Sequence, residues 1–339
     1  MPRRSTAATL ALSILTSAPV HAGDLSEGWE WLAKTNEIQT EGAIWNDRFG
    51  DGKDRWKTGG LTQSYVFPEH IFGRTPWFGD RASAAELNVR GVLMTPDNTA
   101  NTGVDRNDRP YAQYAGAGVY LRSIARPDMM GPDFGLQEES RIGLEVGWQG
   151  DPLPLFDVQD ALHGMTGTKG SAANLSNIID GEVLVNLEGR HTWRYHWGGE
   201  DRDVEFAPFV QGSLGMRETS IRAGADVILG SSLEGRTWGN DLATGALLAG
   251  ASMPRQGYHW SVFAGGDVGY VAADAFLDGG FSVDGPDIAR RKLVARLHGG
   301  VLLEYDNLGI GFSLNWLGKE FKGQPEGQVV GAVQLKFRL

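Results

Sequence analysis

Apolar and polar residues alternate with a period of two along the C-terminal third of the chain. Over residues 292–304 the odd-numbered positions are apolar or Gly, whereas the even-numbered positions include Arg296, His298 and Glu304. The same alternation covers 308–317 and returns at 328–339. Alternation over nine or more residues is typical of a membrane strand with one face towards lipid and one towards a polar interior. The pattern therefore predicts strands, and it places the end of the chain inside one of them.

The same template, applied to the whole chain, predicts an all-β protein: a transmembrane antiparallel β-barrel of about twelve strands. A soluble periplasmic β-sandwich is the alternative, although it seldom sustains so many long strands. Residues 230–257 give the weakest pattern, and within them Ala243 to Met253 could be a strand extension or a loop covering one end of the barrel. The predicted strands lie near residues 42–47, 58–67, 84–93, 112–121, 139–149, 182–197, 204–216, 219–229, 258–272, 292–304, 308–317 and 328–339.

The N-terminus has the three-part layout of a secretory signal. Arg3 and Arg4 precede an uncharged, largely apolar run over residues 7–17, and small residues flank His21 at the end of the segment. We expect a signal peptide at 1–22, a periplasmic leader at 23–41 and the barrel at 42–339. Beyond residue 22 no apolar run approaches the roughly 18 residues of a membrane helix. A membrane location then requires a closed barrel, in the outer membrane of a Gram-negative bacterium.

Composition changes this picture in three respects. The chain holds 48 Gly and 11 Trp, which suit closely packed strands and the membrane–water interface. Its formal net charge of −11 makes it a poor partner for nucleic acid. It has no Cys, so thiol chemistry and disulfides are excluded. The sequence also lacks G-x-S-x-G, H-E-x-x-H, P-loop and dinucleotide fingerprints.

Polar residues concentrate where the strand count predicts outward-facing loops. If the chain ends in the periplasm, the first strand runs outward and Asn46, Asp47 and Thr58 flank the first outer loop. His163 falls in the long third loop, at 150–181. His163 is either a catalytic base or a solvated loop residue. The loop that follows Asp47 is rich in carboxylates, so it could hold a hard cation such as Ca²⁺ or form a solvated acidic turn.

Six segments in order resemble the lipid A 3′-O-deacylase (LpxR-like) family of outer-membrane proteins. They cover nearly the whole chain from residue 42 onwards, and the order of the segments is that of the family. The segments are Asn46-Asp47 with 54–60, Thr95-Pro96-Asp97, the DRPYA run at 108–112, 150–163 ending in Q-x-x-x-H, Phe276–Gly279, and Lys319–Phe321 with Gln324.

The resemblance implies a twelve-stranded barrel that removes the 3′-acyloxyacyl group from lipid A with the help of Ca²⁺. Carried onto this sequence, it makes His163 the general base that activates water and Asp47 a metal ligand. Asn46 would hold the cation or orient the base, and Thr58 would contribute a polar contact near the scissile ester. A neutral His can accept a proton from water near neutral pH. A bound cation can stabilise the developing oxyanion.

The implied partners are lipid A or lipopolysaccharide and the surrounding outer-membrane lipids, with the site facing the outer leaflet and the protein a monomer. The sequence departs from the family pattern at two places. Residues 164–177 carry no carboxylate, so Asp180 or Glu182 would have to replace the usual acidic residue, and Lys57 stands where Tyr is usual. A catalytically inactive structural or lipid-binding barrel is therefore the alternative, and a small-solute pore is a third possibility.

Overall fold

The computed structural model describes eleven parts of the chain. The predicted signal peptide at 1–22 and nearly all of the predicted leader at 23–41 lie outside them, so those boundaries stay predictions. The described parts are 38–68, 81–98, 105–125, 128–131, 134–166, 178–198, 203–231, 233, 236–250, 256–280 and 287–338.

Twelve long antiparallel strands form a closed barrel, as the alternation predicted. The first strand pairs with both the second and the last, and the fourth pairs directly with the next long strand, because the four-residue strand Asp128–Gly131 that separates them in sequence does not lie between them. Most strand bounds agree with the predicted bounds to within three residues. The barrel strands are β1 (Gln39–Asn46), β2 (Trp56–Pro68), β3 (Ala82–Thr95), β4 (Ala112–Ile124), β6 (Phe134–Gln149), β7 (Glu182–Trp197), β8 (Asp203–Gly215), β9 (Glu218–Gly230), β12 (Tyr258–Asp274), β13 (Leu293–Tyr305), β14 (Leu308–Leu317) and β15 (Gln328–Arg338).

The remaining elements lie in the connections. β5 spans Asp128–Gly131, and a separate hairpin is made of β10 (Trp238–Asn240) and β11 (Leu247–Ala249). Helix α1 covers Leu155–Thr166, and α2 covers Ala275–Asp278. We call the end with the connections β1–β2, β3–β4, β6–β7 and β14–β15 the upper rim, and the opposite end the lower rim. Among the described residues, no helix has the length and apolar character needed to cross a membrane.

The outer face of the barrel is apolar. Along β14 exposed and buried residues alternate without a break, and the exposed set includes Ile310 at 52% and Leu314 at 46%. Aromatic residues gather at the lower rim, where the rings of Tyr258 and Tyr305 lie 4.5 Å apart. A belt of this kind is what lipid requires of a barrel wall.

The inner face carries ionised side chains that neutralise one another. Glu86 accepts hydrogen bonds from Arg122 Nε at 2.7 Å and from Arg141 Nε at 2.8 Å. Buried charges are tolerated only when they are paired and hydrogen-bonded, and this interior meets that requirement repeatedly. Further buried pairs join Arg90 to Glu145, Arg217 to Glu188, Arg194 to Glu139 and Glu205, and Arg296 to Asp267.

The weakly patterned stretch between β9 and β12 enters the lumen from the lower rim. Gln334 of β15 holds its hairpin, donating to the Leu247 carbonyl at 2.5 Å and accepting from the Ala249 N–H at 3.3 Å. Its tip reaches the upper half of the barrel, where the Ala243 carbonyl accepts from Lys57 Nζ at 2.8 Å. The expectation of a strand extension or an end cover was wrong, because the polar lumen offers this segment hydrogen-bond partners inside the barrel.

Candidate functional site

Asn46 ends β1 at the upper rim, on the outer face of the barrel. Ile44, two residues earlier, is 62% exposed, and residues two apart in a strand point to the same side. The Asn46 Oδ1 accepts from the Arg48 N–H at 2.8 Å and so caps the short 3₁₀ turn Asp47–Phe49. Its Nδ2 lies over Gly59, so close that a Cβ on residue 59 would be only 3.2 Å from this nitrogen. The neighbouring strand therefore leaves room for this amide.

Asp47 is buried and incompletely paired. It is 1% exposed, and its Oδ2 accepts from the Arg55 N–H at 2.8 Å. Its Oδ1 is buried without a hydrogen bond to any described group. Burial raises the pKa of Asp47 to about 8, and the nearby carboxylates of Asp54 and Asp51 add to the rise, although the Arg55 N–H opposes it. At neutral pH this carboxyl therefore keeps its proton unless a cation takes the proton's place.

Thr58 occupies a bulge at the start of β2. The register against β3 shifts between Lys57 and Gly59, while Lys57 itself extends into the lumen. The Thr58 hydroxyl lies 2.6 Å from the hydroxyl of Thr95 and is buried. Thr95 directly follows Met94, which lines the lumen, so Thr95 faces the outer side of the wall. The bulge thus brings the Thr58 hydroxyl to the side on which Asn46 lies.

Gln328, at the start of β15, holds the whole β1–β2 connection in place. Its Nε2 donates to the carbonyls of Arg55 at 2.6 Å and Lys57 at 3.0 Å, and lies 3.5 Å from Asp47 Oδ2. Its Oε1 accepts from the Lys57 N–H at 3.1 Å. Sequence reasoning missed Gln328, because its place in the alternation is that of any lumen-facing polar residue.

The loop predicted to carry His163 contains helix α1. The helix begins on the outer wall, where the Leu155 N–H donates to Gln113 Oε1 at 3.1 Å. Leu155 lies close to β3, since its Cδ1 would be 3.9 Å from a Cβ on residue 91, where the chain has Gly. Gly91 is on the outer face of the wall, because its cross-strand partner Leu61 is 43% exposed. The rings of Phe156 and Tyr111 meet edge to face at 5.8 Å. Small outer-wall residues on β3 thus let the helix lie close to the barrel.

Gln159 is the buried polar residue of α1. It is 7% exposed, and neither of its amide atoms is hydrogen-bonded to a described group. His163 follows four residues later, about one helical turn along. The His163 side chain lies outside the described part of the structure, so its predicted meeting with Asn46 and Asp47 stays a prediction. The structure does place the start of the helix that carries His163 on the outer side of the wall, against β3 and β4, and β3 pairs with the strand that carries Thr58.

On the luminal side of the same rim, an ion triad locks the loops together. Glu320 accepts from Lys57 Nζ and from Arg109, each at 2.6 Å. Burial would raise the pKa of Glu320, but the two cations outweigh it and hold the pKa at about 2. Of the two candidate carboxylates beyond α1, Glu182 is buried at the top of β7 and Asp180 is exposed. Lys57 therefore has a structural role here, as a cation paired with Glu320, and a Tyr at this position could not supply the positive charge.

The surroundings of Asp47 suit a hard cation in their donor chemistry. Its buried Oδ1 has no hydrogen-bond partner among the described residues, and this atom and the neighbouring carboxylates of Asp51 and Asp54 are oxygen donors of the kind that Ca²⁺ prefers. Among the described residues, no three His, Cys, Asp or Glu side chains come together as a metal site. Asp47 would therefore have to share a cation with amide, hydroxyl or backbone oxygens and with water.

The model of a family described as "Outer membrane protein LpxR" matches residues 9–339. No curated protein sequence gives a significant match.

Among solved structures, LpxR from Salmonella typhimurium has a TM-score of 0.69 at 18% identity, covering 88% of this chain and 99% of that one. The β domain of the Bordetella autotransporter BrkA has a TM-score of 0.43 at 10% identity, covering 89% of this chain and 97% of that one. The first likeness agrees with the twelve-stranded fold, and the second is too distant to add to it.

Proposed function

The chain belongs to the LpxR family of outer-membrane proteins, and from that premise we propose that it is a Ca²⁺-dependent esterase that removes the 3′-acyloxyacyl group from lipid A. The upper rim would then face the cell exterior, with the site towards the outer leaflet. Water would add across the ester bond, which releases a carboxylic acid and leaves a free hydroxyl on the sugar.

The observation that carries this proposal is the placement of polar groups on the lipid-facing side of the wall. Asn46 and Thr58 lie on the outer side of β1 and β2, directly above the exposed apolar residues Ile44 and Leu61. Helix α1 begins on the same side, at Gln113. An ester of a membrane lipid lies at the boundary between headgroup and acyl chains, so a hydrolase acting on it needs polar groups at this height.

His163 would act as the general base by accepting a proton from the attacking water, as a neutral imidazole can near neutral pH. His163 is one helical turn from Gln159, whose buried amide makes no hydrogen bond to a described group and would orient the water or the ester carbonyl. Asp47 would hold Ca²⁺, which when bound supplies positive charge for the ester carbonyl oxygen. Asn46 would orient the base or contribute an amide oxygen to the cation, and Thr58 would contact the ester.

A lipid-binding barrel without catalysis is the second candidate. The Thr58 hydroxyl is already hydrogen-bonded to Thr95, and the Asn46 Oδ1 is used by the Arg48 N–H. Both groups could therefore serve structure alone. The third possibility, a small-solute pore, is opposed by the hairpin and the ion pairs within the lumen.

Purified protein in a neutral detergent, supplied with Ca²⁺ and lipid A, tests the proposal directly. Mass spectrometry should detect loss of the 3′-acyloxyacyl group from the lipid, and EDTA should stop the loss. His163→Ala should slow the reaction by about 10²- to 10⁴-fold, the usual contribution of a general base. His259→Ala at the lower rim is the matched control and should react like wild type. Intact lipid A after incubation with the folded wild-type protein would refute the esterase and leave the lipid-binding barrel.

A further inference from the structure

Phe49 is an exposed aromatic residue beside the candidate site. It ends the 3₁₀ turn that begins at Asp47, and it is 56% exposed. Its Cβ and its carbonyl oxygen would each lie 2.6 Å from a Cβ on residue 331 of β15, where the chain has Gly. Gly331 is on the outer face of the wall, because Val333, two residues further along the strand, is 36% exposed. Phe49 therefore lies on the lipid-facing side of β15, next to Asn46, which is the cross-strand partner of Gly331.

The residues that follow Phe49 fix its position on the wall. The Asp51 N–H donates to the Val329 carbonyl at 3.1 Å, and Asp51 Oδ2 accepts from the Val329 N–H at 3.4 Å. A Cβ at Gly50 would collide with the same carbonyl, so the connection can approach β15 this closely only with Gly at that position. The exposure of Phe49 is thus a property of a turn that is bonded to the barrel.

Phe49 forms one side of a groove on the outer face of the barrel. The other side is Leu155 of α1, which lies over Gly91 of β3. The floor between them is the cross-strand pair of Ile44, 62% exposed, and Leu61, 43% exposed. β15 and β3 are three strand spacings apart, so the two sides are separated by about 14 Å across the strands. We call the groove defined by Phe49, Ile44, Leu61 and Leu155 the outer groove.

The outer groove changes from apolar to polar towards the upper rim. Asn46 lies two residues beyond Ile44 on the same side of β1, and the bulge brings the Thr58 hydroxyl to this side. Trp316, 40% exposed on the outer face of β14, pairs with Val329, which holds the β1–β2 connection. Exposed aromatic residues on a barrel wall mark the membrane–water interface. The polar end of the groove therefore lies at the height of lipid headgroups, and the apolar floor lies at the height of acyl chains.

We propose that the outer groove binds the acyl chain attached to the ester, with the Phe49 ring in direct contact with that chain. This inference rests on the proposed function, and it adds Phe49 to the residues that bind the substrate. Lipid covers the outer face of a membrane barrel, so an acyl chain is the apolar partner that a groove on this face meets. An ester held at Asn46 and Thr58 directs its chain over Ile44 and Leu61. Contact with the chain removes apolar surface of Phe49 from water at the interface, which favours binding.

Binding of lipid A to the full-length His163→Ala protein, in mixed micelles of a neutral detergent, tests the groove without turnover. Isothermal titration should find that Phe49→Ala in this background weakens binding about tenfold, the effect of losing most of the contact of one large apolar side chain. Phe49→Leu keeps an apolar side chain and should recover most of the affinity. Phe206→Ala is the matched control, because it removes a phenylalanine that is 41% exposed on the outer face of β8, and it should bind like the parent.

Lipid A without its 3′-acyloxyacyl group is the second ligand, since it keeps the headgroup and lacks the chain in question. Phe49→Ala should leave the affinity for this lipid unchanged. The inference is overturned if the parent binds neither lipid, if Phe49→Ala binds intact lipid A like the parent, or if it weakens both lipids equally. Hydrolysis is measured separately on the protein with His163 intact. Absence of hydrolysis refutes the esterase, whereas the groove is decided by binding alone.

Discussion

Gln328 and Lys57 exchange two hydrogen bonds beyond the end of β1: the Lys57 N–H donates to Gln328 Oε1 at 3.1 Å, and Gln328 Nε2 donates to the Lys57 carbonyl at 3.0 Å. The same amide donates to the Arg55 carbonyl, so one side chain fixes the backbone on either side of Trp56, directly before the bulge at Thr58. Residues 271 positions apart thereby set the geometry of the candidate site. Four predictions concern this geometry and its electrostatics, and two concern the lumen.

Gln328→Met should reduce ester hydrolysis by tenfold or more. The substitution leaves buried backbone groups of Arg55 and Lys57 unpaired, at about 1–3 kcal/mol each, so the connection carrying Asp47 should shift. Gln334→Met is the matched control, since Gln334 lies on the same strand and bonds the luminal hairpin instead. Reaction rates and unfolding midpoints should be measured together. Equal loss of activity in both variants would mean that Gln328 acts only through overall stability.

Thr58→Val should lower hydrolysis more than Thr95→Val does. Each substitution removes one partner of the same buried hydrogen bond and leaves the other hydroxyl unpaired. The two variants should therefore lose similar stability, while only Thr58 is expected to contact the ester. Thr58→Ser, which keeps the hydroxyl, should restore most of the rate. If Thr95→Val is as slow as Thr58→Val, the pair serves to position the strand and Thr58 has no separate role.

The affinity for Ca²⁺ should fall as the pH is lowered below about 8. Burial raises the pKa of Asp47 to about 8, so a cation must displace a proton at neutral pH. Below this pKa each pH unit reduces the carboxylate fraction roughly tenfold, and calorimetry should find binding about tenfold weaker at pH 6 than at pH 7. Asp47→Asn should abolish the binding. An affinity that is independent of pH would remove Asp47 from the ligand set.

The same pKa shift has a consequence for stability without Ca²⁺. Because the folded-state pKa lies above the ordinary value of 3.8, ionising Asp47 opposes folding. Relative to Asp47→Asn, the wild-type protein should lose stability as the pH rises from about 4 towards 8, and Ca²⁺ should reverse the loss. Thermal unfolding followed by heat-modifiable gel mobility measures the difference. A constant difference across this range would contradict the assigned shift.

Glu86→Gln should destabilise the barrel strongly, by about 3–5 kcal/mol. Its carboxylate neutralises both Arg122 and Arg141, and removing one partner of a buried pair leaves uncompensated charge. The control is Glu326→Gln at the exposed rim, which should unfold close to wild type because solvent screens its contacts. An equal response of the two variants would mean that the luminal charges are well solvated.

The wild-type protein should not conduct ions in a planar bilayer. The luminal hairpin, held by Gln334 and reaching Lys57, lies along the axis that ions would follow. Deletion of 238–249 should produce measurable conductance, since it removes the hairpin and leaves the twelve barrel strands. Steady conductance of the intact protein would instead favour the small-solute pore.

The alternation along the chain was sufficient to predict the barrel, because each strand must separate a lipid face from a polar face residue by residue. That requirement is local, so it can be read off the order of residues in 308–317 or 328–338 without knowledge of the partner strands. Residues Asn46, Asp47 and Thr58 were also named as candidate site residues from the sequence, through motifs that resemble a known family, and their roles stay predictions.

Only the tertiary structure decided which side of the wall these groups occupy and what surrounds them. The helix of 155–166 was predicted as loop, since its partners Gln113 and Gly91 belong to other strands. The luminal hairpin was not recognised, and Gln328 looked like any polar luminal residue. Burial and pairing across long sequence separations arise when the barrel closes. The alternation of a single strand carries no information about them.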